Sequence, residues 1–400
     1  MVQDIRELNR SAVLTALMIQ RPATRKQIAE STGISAATVT RAIDQLIVDG
    51  IVSEVSEVVV EKRGRRAILL DLVAARALVI GVDLGASSTR IIASDLLATP
   101  LVAIEIPTPA DLGAAELALW LAEQAKAAMG DRWDAVAGVS LGLPGAVNQS
   151  ERSVSNAPNL RQVEDPAFLA VCELALGLPL HADNDANLAL LGELRFGAAR
   201  HTPYAAMLSL GAGLGVGIAI DGAILRGRHG LVGEFGQIPV GTRGERLESF
   251  TTGPALMARA AAAGVRLESP ATLFAEPAAG TDPATRHATA ELRADFDRAL
   301  VTALTAIAVS SEPETIVLGG GIAKSLTADL GAYQERLEQT IRIAPTLTRA
   351  ELGDFSGAAG GLVVALHAIY LSLGVDPAAL ATLPQSTALT PERILQIAAT

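Results

Sequence analysis

VIGVDLGASSTRIIASDL, residues 79–96, reads as an apolar strand, a tight turn and a second apolar strand. Buried strands followed by glycine-rich turns are the layout of an α/β fold, and this pattern takes over from Ala77 onward. Asp83 stands at the end of the first strand, where a carboxylate can hold a metal or a water. Gly85 with Ser87 and Thr89 offers amides and hydroxyls suited to a phosphate. A plain β-hairpin needs Gly85 equally, so this segment leaves both readings open.

Further along, VAGVSLGLPGAV (136–147) is another buried strand, ending in a rigid Gly-Leu-Pro-Gly turn in which Gly145 can wall a pocket. HADNDANLALLGE (181–193) places Asn184 and Asp185 just before an apolar helix, where a carboxylate is either a cap or a reactive group. SLGAGLGVGIAIDG (209–222) sets Gly211, Gly213, Gly215 and Gly217 between two hydrophobic strands. Such backbone suits close approach to a phosphate or simply a tight hairpin. GLVGEFGQIPV (230–240) carries Glu234 between glycines, and ETIVLGGGIAKS (314–325) breaks a strand at Gly319, Gly320 and Gly321 before a helix. No GxxxxGK[ST] occurs, which excludes a P-loop, and no GxGxxG opens a helix after the first strand of this region.

The region before residue 72 has a different periodicity. Residues 4–19 carry Leu8, Val13, Leu14, Leu17 and Met18 at helical spacing, stopped by Pro22. Thr24 and Gln27 form a capping box for a second helix closed by Gly33. Ser35 caps a third, whose Val39, Ile43, Leu46 and Ile47 face inward. Ala37, Thr38, Thr40, Arg41 and Gln45 are left outside, short, polar or basic as a helix in a major groove requires. A β-ribbon follows, tipped by Glu61-Lys-Arg-Gly-Arg-Arg66. Arg63, Arg65 and Arg66 are then a wing able to reach phosphates or a minor groove. A three-helix protein-interaction module with a solvated basic loop is the alternative.

Charge divides along the same boundary. Of the overall −11, residues 1–72 hold ten Lys/Arg against nine Asp/Glu, net +1, and the rest hold 22 against 34, net −12. DNA is therefore repelled except where the head presents arginines. Cys172 is the sole cysteine, which rules out a disulfide framework and a cysteine-based zinc site. With the charged start MVQDIRELNR, this predicts a cytoplasmic setting. Residues 358–375 approach the length of a membrane span, but His367 and the small residues favour a buried core helix and no membrane.

Taken in order, DxGxxxTR, GxPG, NAPN, NDAN, GAGxGxG, GxxGEFG and LGGG, beginning at Asp83, Gly142, Asn156, Asn184, Gly211, Gly230 and Leu318, resemble the motifs of the ROK family of repressors and sugar kinases. The head resembles the winged helix of that family's regulators, and the likeness covers nearly all of residues 5–372. The resemblance implies an α/β fold: an actin-like, hexokinase-type two-lobed ROK domain preceded by a winged helix-turn-helix. The expected division is a DNA-binding head over 1–74, a small lobe over 75–186 with 375–400, and a large lobe over 187–374 holding the sugar cleft and oligomer interface.

By motif, Asp185 resembles the catalytic base of the family's kinases, since phosphoryl transfer needs a carboxylate beside the acceptor oxygen. Gly145, Asn159, Asn184, Glu234, Gln237 and Glu248 resemble sugar-binding positions. Asp83, Gly85, Ser87, Thr89, Gly211, Gly213, Gly215, Gly320 and Gly321 match ATP or phosphate segments. Ser35, Ala37, Thr38, Thr40, Arg41, Arg63, Arg65 and Arg66 are the DNA-binding set. Three departures stand out: Gln237 replaces a zinc-binding histidine, GTRGERLE (241–248) replaces a cysteine cluster, and Ala212 replaces a common threonine. No zinc site is expected; ATP and Mg2+ enter only if kinase activity survives. The partners implied are palindromic double-stranded operator DNA, a sugar or sugar phosphate, and further copies of the chain as a homodimer or homotetramer. The function implied is a sugar-responsive transcriptional regulator, with an ATP-dependent sugar kinase as the alternative.

Overall fold

The computed structural model describes residues 5–59, 66–241, 244–278, 280–385 and 388–398. In the head, α1 (Ile5–Ile19) buries Val13, Leu14, Leu17 and Met18, while Leu8 is left exposed. After β1 (Ala23–Thr24), Thr24 caps α2 (Arg25–Thr32). The Gln27 N–H donates to Thr24 Oγ1 at 3.2 Å and the Thr24 N–H to Gln27 Oε1 at 2.8 Å, so two otherwise orphaned amides are satisfied reciprocally. Gly33 ends the helix at φ 70°, a left-handed position that costs glycine little. Ser35 caps α3 (Ala36–Val48), which buries Val39, Ile43 and Leu46. Strands β2 (Val52–Val59) and β3 (Arg66–Leu72) pair antiparallel, with β1 on the far edge of β3.

The body starts with β4 (Leu78–Leu84), β5 (Ser88–Asp95), β6 (Pro100–Pro107), α4 (Ala114–Met129), β7 (Val136–Leu143), the small pair β8 (Ala146–Asn148) and β9 (Ser153–Ser155), α5 (Phe168–Leu176) and β10 (Leu180–Asn184). Its sheet runs β10-β7-β4-β5-β6, an antiparallel meander extended by two parallel strands. Helix α6 (Asp185–Phe196) leads to β11 (Ala205–Leu210), β12 (Leu214–Ile220), β13 (Ala223–Ile224), α7 (Glu248–Thr251), α8 (Gly253–Ala262), α9 (Pro283–Ser311), β14 (Thr315–Gly319), α10 (Gly321–Ser325), α11 (Leu330–Thr340) and β15 (Thr346–Arg349). The second sheet runs β13-β12-β11-β14-β15 with the same pattern of directions. One supersecondary plan is thus used twice, the paired lobes of the actin-like, hexokinase-type fold.

Between the lobes lie α6 and α12 (Ser356–Ser372), which pack on each other; α12 also covers β4 and β7. Residues 353–372 are long and apolar enough to cross a membrane, yet 67% of that window is buried between the sheets. Glycines set this packing. A Cβ on Gly360 would stand 1.8 Å from the Leu188 carbonyl oxygen, one on Gly192 2.3 Å from that of Ser356, and one on Gly81 2.0 Å from that of Ala358. Helix α12 therefore meets α6 on one side and the centre of the first sheet on another, backbone to backbone. The terminal helix α13 (Pro391–Ala398) packs on β6.

A glycine-to-alanine change inside a helix ordinarily stabilises by ~1 kcal/mol. At Gly360 the clash dominates, because overpacking costs on the order of 1–3 kcal/mol or more and the obstacle is backbone. Gly360→Ala is expected to lower the denaturation midpoint. Gly331→Ala, at an exposed helical glycine with open space around its Cβ, should leave it unchanged or raise it. Equal effects would refute the close-packing account.

Candidate functional site

Asp185 is the first residue of α6, at the point where β10 leaves the first sheet. Its neighbour Asn184 is the N-cap, and Asn184 Oδ1 accepts from the Asn187 N–H at 3.0 Å. Asn184 Nδ2 donates to the Gly145 carbonyl at 2.9 Å and to Asp185 Oδ1 at 3.1 Å. Both amide protons are therefore committed, which makes Asn184, expected as a sugar ligand, mainly a positioning group for Asp185 and the Gly145 turn. Gly145 is at φ 86° with its Cβ direction 2.4 Å from the Ser155 carbonyl oxygen, so only glycine fits there. Asp185 Oδ1 also accepts from the Ala186 N–H at 2.7 Å, while no protein donor reaches Oδ2 among the described residues.

Four carboxylates gather around this point, and three of them are raised. Burial raises Asp185 to about 6, helped by the charge of Glu234. Burial raises Glu234 to about 7, helped by Glu248. Burial and the charge of Asp185 raise Asp83 to about 7, against the pull of Arg90 at 3.8 Å. The electrostatic chain Asp83, Asp185, Glu234, Glu248 joins motifs more than 160 residues apart in sequence.

The zinc-site departures have a structural counterpart. Gln237 Nε2 lies 3.4 Å from both carboxylate oxygens of Glu248, and Arg246 donates to Gln237 Oε1. The loop is closed by backbone bonds, Val240 N–H to Glu245 at 2.8 Å and Leu247 N–H to Ile238 at 2.9 Å. Among the described residues no group of three or more His, Cys, Asp and Glu could hold a metal. This amide, guanidinium and carboxylate set does not fit zinc, which favours thiolate and imidazole.

On the phosphate side, Asn159 Nδ2 donates to the Ala212 carbonyl at 2.9 Å, tying the first lobe to the β11–β12 turn. Gly211 and Gly321 have open space where a Cβ would point, so packing does not require glycine there and a ligand can approach the backbone. A Cβ on Gly213 would meet only Asn159 Nδ2, at 3.8 Å, an ordinary contact. Gly320, at φ 86°, is needed by its own turn against Leu210. Two expectations need correction. A Cβ on Gly215 would stand 3.0 Å from the Ala186 Cβ and 3.7 Å from Asp185 Oδ1, so this glycine makes room for the start of α6 instead of marking a phosphate loop. Thr89 is fully buried, its hydroxyl 2.8 Å from that of Thr108, so it cannot face a phosphate. Gly85 holds the turn through its N–H to Ser88, 3.0 Å, and Ser87 is exposed beside it.

On the head, Ala37, Thr40 and Arg41 are exposed on α3, with Ser35 and Thr38 sharing a hydroxyl contact of 3.0 Å at its start. Arg63, Arg65 and the Arg66 side chain lie outside the described residues. Spacing could not reveal Asp183, buried and bonded to Arg226 at 2.7 Å across the lobes, because the partner lies 43 residues away with no motif of its own. Arg10 was equally hidden. It donates to the Leu373 carbonyl at 2.8 Å and to Asp49 at 3.2 Å.

The fold defines a winged helix-turn-helix head joined to a two-lobed α/β body. The chain belongs to the ROK family, whose profile matches residues 79–368, and a winged helix-turn-helix DNA-binding profile matches residues 9–53. It is 30% identical over 240 residues to the putative xylose repressor of Caldicellulosiruptor sp. (strain Rt8B.4), a match spanning 59% of each chain. It is 35% identical over 162 residues to the glucokinase of Streptomyces coelicolor, covering 40% of this chain and 49% of that one. The crystal structure of a ROK family transcriptional regulator, a homologue of the E. coli MLC protein, matches with TM-score 0.71 at 22% identity, covering 94% of this chain and 99% of that one. At that identity the likeness speaks for the fold.

A buried acid with a raised folded value keeps its proton where the unfolded chain has released it, so stability falls as pH rises from about 3.8 to about 7. Asp83→Asn removes this penalty. The variant is expected to exceed the wild type in unfolding free energy at pH 8, by on the order of 1–3 kcal/mol, with the advantage shrinking by pH 5. An advantage independent of pH, measured by denaturant titration, would show that Asp83 is not the titrating group.

Proposed function

We propose that this chain is a sugar-responsive transcriptional regulator, acting as a repressor of carbohydrate-metabolism genes. Helix α3 and the β2–β3 ribbon bind operator DNA, and a sugar or sugar phosphate binds between the lobes at Asp185, Glu234 and Glu248. Binding DNA requires no cofactor, and a DNA partner places the chain in the cytoplasm. A head of net charge near +1 binds weakly alone, so a homodimer or homotetramer presenting two heads to a palindromic operator is part of the reading. The repressor-named relative supports it, although the chain spans only 59% of that protein's length.

The observation that carries the proposal is the position of Arg10. Its guanidinium joins the residue after α12, Leu373, to the residue after α3, Asp49. Thr15 Oγ1 adds a second tie by accepting from the Asp376 N–H at 2.9 Å. Movement of α12 with the lobes is thereby transmitted to the recognition helix.

Anisotropy titrations against duplexes from the chain's own genomic neighbourhood test this. Operator affinity is expected to change 5-fold to 150-fold with the correct sugar, a coupling of ~1–3 kcal/mol. Arg10→Met should retain DNA binding while the sugar response falls towards nothing. No affinity for any duplex, with or without sugars, would end the proposal.

A retained sugar kinase is the second reading, favoured by Asp185. A carboxylate raised to about 6, anchored through Oδ1 with Oδ2 free of protein donors, suits proton abstraction from a hydroxyl near neutral pH. ATP, which supplies the transferred phosphoryl group, would be held by the backbone of Gly211, Gly213 and Gly321. A coupled ATP-consumption assay over hexoses, hexosamines and pentoses decides. The regulator reading expects no turnover, whereas turnover lost in Asp185→Asn would establish the kinase.

A further inference from the structure

A cavity of about 530 Å³ opens at the rear of the lobe junction. Asn184, Asp185, Glu234 and Glu248 do not line it; Arg195, which does, is ten residues along α6 from Asp185, about 15 Å by helical rise. Its volume lies in the range of small-molecule sites. Both lobes contribute walls, through residues 147–149, Arg152 and 180–182 on one side and 221–224 on the other, and Leu380 and Ala381 close it from the segment after α12.

Its polar groups are unevenly satisfied. Arg152 pairs with Glu173 at 2.7 Å, and Arg226 with the buried Asp183 at 2.7 Å. Asp221 accepts from the Tyr204 hydroxyl at 2.6 Å. Arg195 differs. Its Nε donates to the Leu383 carbonyl at 3.3 Å, and no carboxylate lies within 4.0 Å of its guanidinium among the described residues. Burial pushes its pKa down, as expected for a cation withdrawn from water without a counter-ion. Next to it, His367 is held neutral, lowered to about 4 by burial, and its ring nitrogen sits 2.7 Å from the same Leu383 carbonyl. A half-buried cation without a counter-ion, facing a cavity walled by Leu169, Leu180, Leu191 and Val364, lacks an anion with an apolar body.

We propose that this rear cavity binds a small organic anion, its carboxylate or phosphate held by Arg195 and its carbon skeleton against the leucine and valine wall. The site is separate from the carbohydrate cleft. Its Leu380 and Ala381 stand within five residues of Asp376, whose N–H donates to Thr15 of the head, so an occupant touches both lobes and the segment that bonds the head.

Calorimetric titration of the full chain with phenyl phosphate and with benzoate, against benzyl alcohol as the neutral control, tests this and separates the two head groups. At least one anion is expected to bind and the alcohol not. Arg195→Met should weaken binding tenfold or more, as should Ala223→Trp, which fills the mouth from an exposed position and keeps the test decisive if the first variant does not fold. Glu234→Ala, which empties the carbohydrate cleft, should leave anion binding unchanged. Failure of both anions to bind, unaltered affinity in Ala223→Trp, or loss of binding in Glu234→Ala would each overturn the proposal. Only the last would place the ligand in the front cleft.

Discussion

The structure depends on how closely α12 approaches its neighbours. Its backbone touches α6 and the central strand of the first sheet through Gly360, Gly192 and Gly81, where no side chain can be interposed. Such contacts gain dispersion energy at short range and tolerate little adjustment, because the obstacle on each side is a carbonyl and not a flexible side chain. Next to this contact, the fully buried Glu193 carboxylate accepts from the N–H groups of Ala198 at 2.7 Å, Glu351 at 3.1 Å and Leu352 at 3.0 Å, and from the Ser356 hydroxyl at 2.7 Å. Burial raises its pKa while these four donors oppose the rise. The acid thus fixes the start of α12 on the middle of α6 by satisfying backbone groups that would otherwise be orphaned in the interior.

Helix α6 consequently carries three unlike chemistries along one rigid element. Its start presents Asp185 to the front cleft, its middle holds Gly192 and Glu193 at the lobe contact, and its end places Arg195 in the rear cavity. The helix dipole favours a negative Asp185, yet burial and Glu234 dominate and raise it. A row of carboxylates that repel one another is a poor way to stabilise a protein. It is a good way to accept several hydroxyl protons of one polyol, since each hydrogen bond received relieves part of the repulsion.

The head was legible in the sequence because it rests on local signals, and the two-lobed plan because the order of the motifs resembles that of a known family. Thr24 with Gln27 and Ser35 mark helix starts, glycines mark turns, and Asn184 with Asp185 marks a strand passing into a helix. The duplicated sheet order was not, since strand order is set by pairing between distant segments. Thr89 and Gly215 were misread for a related reason. A threonine in a turn and a glycine in a strand look alike whether they face a ligand, as at Gly211, or a neighbour, as with Thr108 and Ala186. Arg10, Asp183, Glu193 and Arg195 carried no sequence signal, because the partners that matter are remote, Leu373 lying 363 residues from Arg10, Arg226 43 from Asp183 and Glu351 158 from Glu193, or, for Arg195, because what matters is a missing partner.

Arg10 shows why the links between head and body matter more through geometry than through strength. Its pair with Asp49 is about a quarter to a third exposed, so solvent screens it and the ionic contribution is small. Adhesion comes instead from a continuous apolar cluster in which Val13, Leu14 and Leu46 of the head share a core with Leu362, Leu366 and Tyr370 of α12 and with Leu389 and Ile394 at the end of the chain. An apolar contact is non-directional and resists separation without fixing orientation. The directional bonds from Arg10 and Thr15 to the two turns of chain after α12 supply that orientation. Because α12 is itself wedged by glycines, these turns leave a helix that meets both α6 and the first sheet backbone to backbone, so the head is oriented from the most closely packed element of the body.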